Sequence, residues 1–184
     1  MKPRDAIAIA VMAAVGLFAK RGHCTEDEKD WQIRGGYIWG QSPGTRSFTG
    51  SGAAIAVHRY LYGSGRIRMS AGLGLRSWLW EYGSDWMAIQ GATEARFEVA
   101  PLASVPWIRL SALVAADVGR WPEYAEIGWP MQFVGLSGRG DVGLSADLAG
   151  RGLVDATLGA RWTDTVSHPH SLVWQAEITG AFSF

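Results

Sequence analysis

The chain predicts an all-β fold, eight antiparallel strands closed up-and-down into one barrel, and three observations carry that expectation. Apolar residues alternate with polar or small ones through segment after segment, and a period of two places successive side chains on opposite faces of a strand. Clusters of Gly, Pro, Ser and Asp separate the segments, which is turn chemistry. The segments number eight, an even count that lets a meander close on itself.

The first is Trp31–Gly40, with Trp31, Ile33, Tyr37 and Trp39 on one face against Gln32 and Arg34, followed by the loop Gln41–Arg46. The second, Ser47–Tyr62, sets Ala53, Ile55, Val57 and Leu61 against small residues and His58, which falls on the inner face; Gly63–Gly65 is a tight turn. The third, Arg66–Trp80, alternates cleanly: Ile67, Met69, Ala71, Leu73 and Leu75 oppose Arg66, Arg68, Ser70 and Arg76. A loop at Glu81–Asp85 leads to Trp86–Ala100, where Met87, Ile89, Ala95, Phe97 and Val99 oppose Gln90, Glu94, Arg96 and Glu98. Past the turn Pro101–Pro106, Trp107–Gly119 sets Ile108, Leu110, Val114 and Val118 against Arg109, Ser111 and Asp117. The longest loop, Arg120–Pro130, precedes Met131–Leu148, which keeps its phase through Gly138-Arg139-Gly140 and so reads as one bent strand. Leu153–Trp162 and Ser171–Phe184 complete the series, with the loop Thr163–His170 between them.

Ahead of the barrel, assigned to residues 31–184, residues 1–24 read as an export signal. Lys2 and Arg4 precede an apolar run, Ala6–Ala19, of fitting length. Residues 25–30 (T-E-D-E-K-D) form a charged, flexible lead-in. Cys24 is the only cysteine, which excludes an intramolecular disulfide, and Arg21-Gly22-His23 before it does not suit a lipid-anchor signal. The 17 basic and 17 acidic residues balance, so nothing points to nucleic acid. No apolar run reaches the roughly 18–20 residues of a spanning helix. A membrane location therefore requires a closed barrel.

Periodicity alone leaves either face free to be the inner one. The polar face holds Arg34, Arg66, Arg68, Arg76, Arg96, Arg109, Arg139 and Arg161 with Glu94, Glu98, Asp117, Asp141, Asp147, Asp155 and Glu177. The last strand ends Phe182-Ser183-Phe184, and this apolar, aromatic close resembles the final strand of bacterial outer-membrane β-barrels. The resemblance implies a transmembrane barrel in the outer membrane, with an apolar exterior facing lipid and lipopolysaccharide. It also implies a charged, filled lumen, and a last strand recognised by the barrel-assembly machinery. Both chain ends then face the periplasm. Trp39, Trp78, Trp80, Trp86, Trp121, Trp129, Trp162 and Trp174 fall toward the outside, and Trp31 and Trp107 toward the periplasm.

Three functional classes follow. The first is a structural or surface-interaction barrel, whose rim would be centred on Trp121, Tyr124 and Trp129, a surface protein being the partner. Its lumen would be plugged by an alternating chain, Arg68–Glu98–Arg109–Asp141, in which Glu98→Ala should destabilise more than Asp117→Ala. The second is a lipid A-modifying enzyme, an acyltransferase or deacylase, using His168, His170 and Ser171 with an acid such as Asp85 or Glu123. The third is a small-molecule conduit, which a barrel of eight strands is barely wide enough to be. No cofactor motif is present, and His168 with His170 lacks a fixed third metal ligand.

Overall fold

The computed structural model describes residues 31–41, 49–64, 66–82, 84–124, 130–148, 152–164 and 169–184. The export signal and lead-in expected over residues 1–30 lie outside them. Eight strands form one closed barrel: β1 (Trp31–Gln41), β2 (Thr49–Gly63), β3 (Ile67–Tyr82), β4 (Ser84–Val99), β5 (Ile108–Tyr124), β6 (Pro130–Leu148), β7 (Gly152–Asp164) and β8 (Pro169–Ser183). Each pairs antiparallel with its sequence neighbours, and β1 closes on β8. Trp31 and Phe184 exchange backbone hydrogen bonds of 3.2 and 3.0 Å, so both lie at one end, called here the Phe184 end.

The alternation settles which face is inside. Leu73, Leu75, Val142, Leu158 and Ile178 stand on the outside, each more than half exposed, while Arg76, Arg139 and Arg161, at positions of the opposite parity in their strands, are buried. A continuous apolar exterior of this extent is incompatible with water and matches hydrocarbon. Exposed aromatic rings collect near both ends: Trp31, Tyr62, Trp107, Phe182 and Phe184 at one, Tyr37, Trp39 and Trp174 toward the other.

Several strand boundaries and one register differ from the sequence expectation. β5 continues past Gly119 to Tyr124 and β6 starts at Pro130, their ladder running to Tyr124↔Pro130. Trp121 and Tyr124 therefore belong to a strand rather than to a long loop; Trp129 lies outside the described residues. β3 and β4 likewise pair as far as Tyr82↔Ser84, which shortens the loop expected there. In β2 a bulge between Tyr60 and Tyr62 makes Leu61 the extra residue, and Tyr62 takes the outward place expected for Leu61. β8 begins at Pro169, before the expected Ser171. β6 is one strand, unbroken through Gly138 and Gly140.

The ladders are unequal in length. β4–β5 runs only from Gln90↔Gly119 to Val99↔Leu110, and β1–β8 only from Gln32↔Ser183 to Gln41↔Trp174. The β6–β7 ladder stops at Leu136↔Asp164. Residues 120–124 and 130–135 are thus paired to each other, and among the described residues to neither β4 nor β7, at the end away from Phe184.

Candidate functional site

The inward face of every strand delivers polar side chains into a narrow lumen, where they form three tiers. Nearest the Phe184 end, Asp147 on β6 accepts from Arg68 on β3 at 3.0 Å and faces Arg109 on β5 at 3.6 Å. This pair is about a quarter exposed. Just above it, Arg96 donates to Glu98 and to Asp155, both at 2.6 Å, and Asp155 also accepts from Arg34 and from Ser145. Arg34 reaches Gln32, whose amide donates to the Tyr60 hydroxyl at 3.0 Å.

The middle tier centres on Glu94. It meets His58 Nε2 at 3.0 Å, Arg76 at 3.3 Å and Arg139. Arg139 also contacts Glu177 and Asp141 at 3.2 Å each and Asp117 at 3.9 Å, making it the cation shared by four carboxylates. Arg76 donates to Glu177 at 2.7 Å. Asp117 lies 3.1 Å from Arg161, an attraction of charges without hydrogen-bond alignment. A chain with fewer inward glycines would not fit this tier: a Cβ at Gly159 would overlap Asp141, and one at Gly72 would come 2.4 Å from the His58 ring.

The third tier is apolar and closes the end away from Phe184. Ile38, Trp78, Ala88 and Val173 pack together, fully buried. The Trp78 indole donates to Gln90 at 3.0 Å, Arg161 donates to the same Gln90 oxygen at 2.7 Å, and the Arg161 guanidinium lies 5.3 Å from the Trp78 ring centroid. Between the lower tiers, bordered by Arg34, Arg76, Glu94, Arg96, Asp141 and Asp155, is a cavity of about 10 Å³, room for a single water.

The expected chain Arg68–Glu98–Arg109–Asp141 is not the one that forms. Arg68 and Glu98 do oppose each other across the β3–β4 ladder. Yet Arg68 pairs with Asp147 across the lumen, and Glu98 with Arg96 two residues along its own strand. Arg109 stands opposite Ser145 rather than Asp141, and its carboxylate is again Asp147. Asp141 belongs to the middle tier beside Arg139. The physical reason is reach: in so narrow a barrel an Arg side chain spans the axis, so its partner is chosen across the lumen and not along a ladder.

His58 faces inward as expected, with Nδ1 3.2 Å from the Ser70 hydroxyl. Trp78, placed by the sequence among the tryptophans toward the cell exterior, lies in the tier away from Phe184 with its side chain turned into the lumen. Its parity with Arg76 in β3 is the signal that would have placed it there. His170 and Ser171 are early residues of β8, and Trp121 and Tyr124 late residues of β5; His168 lies outside the described residues. Among the described residues no group of three His, Cys, Asp or Glu side chains is placed to hold a metal.

An apolar outer wall around a charged, closely filled lumen is a recognisable combination. The fold is that of the small outer-membrane β-barrels. It is similar to Neisserial surface protein A, with a TM-score of 0.62 over 84% of this chain and 97% of that one, at 9% identity. It is also similar to Ail, the attachment invasion locus protein of Yersinia pestis, in a complex with the heparin analogue sucrose octasulfate. There the TM-score is 0.55 at 12% identity, over 85% of this chain and 99% of that one. The N-terminal β-barrel domain of Pseudomonas aeruginosa OprF gives 0.53 at 9% identity, over 86% and 100%. No family model and no curated protein matches the chain.

Proposed function

We propose that the protein is a non-enzymatic outer-membrane barrel whose lumen is a plug and whose working surface is the end away from Phe184. The observation that carries this reading is the β5–β6 hairpin, which pairs on to Tyr124↔Pro130 after its neighbours have let go at Gly119 and Leu136. A hairpin held at its base by a rigid barrel is a suitable platform for a surface partner; Trp121 and Tyr124 lie in its first strand, and Trp129 immediately precedes its second in sequence. The neighbours described as a surface protein and as an attachment protein bound to a heparin analogue support a surface role. The Phe184 end faces the periplasm in this reading, with residues 1–24 as the export signal. The tiers of paired charge under the Ile38–Trp78 cap support a plug rather than a conduit.

Three measurements test it. The refolded barrel should show no steady conductance in a planar bilayer, and a stable open channel would overturn the plug. Replacing Trp121 and Trp129 by Ala should leave the barrel folded, by heat-modifiable gel mobility, yet reduce capture of a crosslinked surface partner. Undiminished capture would remove the rim. The lipid A of cells with and without the protein should carry the same acyl chains; a changed pattern would favour the enzyme reading and its His168, His170 and Ser171.

A further inference from the structure

We propose that Arg59, seated on Trp31, binds the phosphate of a phospholipid headgroup in the leaflet at the Phe184 end. This rests on the outer wall being the lipid-facing one. Arg59 follows the fully buried His58 and precedes the inward Tyr60, so it points outward. Among the described outward side chains of the eight strands it is the only charged one; the others are apolar, Gly, Ser, Thr or Gln. A single charge on such a wall calls for an explanation, because an ionised side chain facing hydrocarbon is strongly unfavourable at the midplane and tolerable only near the interface.

Its depth answers the first half of that question. Arg59 stands opposite Trp31 across the β1–β2 ladder, and Trp31 is paired to Phe184 at the barrel's edge. The guanidinium lies 5.8 Å from the Trp31 ring centroid, so one face of it is held by the ring. Its other ladder partner, Ala71, offers no acceptor. Among the described residues no oxygen accepts a hydrogen bond from Arg59, whereas each of the seven lumen arginines Arg34, Arg68, Arg76, Arg96, Arg109, Arg139 and Arg161 has a carboxylate within 4.0 Å. A planar fork of donors, fixed at headgroup level with its edge free, suits a phosphate diester, which it can grip through two parallel hydrogen bonds. Exposed Ile33, Val57 and Met69 beside it supply the wall along which the lipid's acyl chains lie.

Native mass spectrometry of the intact barrel, released from detergent with equal amounts of phosphatidylglycerol and diacylglycerol of the same chains, tests this. The parent should retain phosphatidylglycerol about five-fold over diacylglycerol, the effect of roughly one interfacial cation. Arg59→Gln should lose that preference, Arg59→Lys should keep a preference above the Gln variant, and excess inorganic phosphate should not displace the lipid. A parent without preference, or a Gln variant that keeps it, overturns the site. Displacement by inorganic phosphate makes it a free-anion site and overturns the lipid assignment. If the Gln variant does not close, by gel mobility, the parent comparison alone decides. A parent barrel that fails to insert into vesicles instead sinks the lipid-facing outer wall itself, so the two failures are separable.

Discussion

The inner and outer walls of this barrel are built by the same strands, residue by alternate residue, yet they obey different rules. Inside, each side chain is chosen against particular partners: Arg139 serves four carboxylates, and Asp155 takes two arginines and a serine. Outside, Leu73, Val142 and Leu158 need only be apolar, because lipid has no shape to match. Specificity in this fold is therefore concentrated in the lumen, and the exterior carries hardly more than polarity.

The most severe way to break that contrast is to remove the hub. Arg139→Ala leaves Glu94, Asp117, Asp141 and Glu177 crowded without their shared cation, and buried pairs broken this way typically lose about 3–5 kcal/mol. The expected result is a large drop in thermal unfolding temperature in detergent, or failure to close. Leu73→Arg attacks the other wall, where a cation near the midplane costs roughly 2–4 kcal/mol. Insertion into vesicles should fall sharply.

Subtler substitutions sharpen the comparison. Gly72→Ala adds one methyl group inside, against the His58 ring, and should destabilise by about 1–3 kcal/mol. Leu158→Phe adds far more volume outside and should leave the unfolding temperature where it was. Equal effects from these two would erase the distinction between the walls. Smallest of all, Arg68→Ala removes a pair that is already a quarter exposed, and a loss of about 1 kcal/mol or less is expected by denaturant melting. Glu98, which accepts from Arg96 at 2.6 Å, should matter more than Asp117, neither of whose carboxylate oxygens has a hydrogen-bond partner among the described residues, and this is the order the sequence suggested.

Period-two alternation made the phase of the strands readable, and adjacent-strand counting found Arg68 opposite Glu98. What lay beyond reach were relations across the axis. Asp147 is 79 residues from Arg68 and three strands away, and no ladder arithmetic links them. The bulge at Leu61 was equally hidden, because one added residue alters no composition. Around Pro122 and Pro130, proline and glycine read as loop, yet the hairpin carries both prolines at its end, where β5 and β6 have no further neighbour to donate to. For the candidate site, sequence supplied the members of the lumen and not their partners.

The β4–β5 ladder, with ten residue pairs, and the closing β1–β8 ladder, with ten beside the Trp31–Phe184 exchange, sit on opposite sides of the ring. They divide the ring into two half-shells, β1–β4 and β5–β8, in which all ladders but β1–β2 are longer. Several lumen ion pairs are stitches between the halves: Arg34 to Asp155, Arg68 to Asp147, Arg76 to Glu177, Arg96 to Asp155 and Arg139 to Glu94. Pulled from its ends, such an object would part along its seams rather than peel strand by strand. The charges that fill the middle would set the force at which it does so.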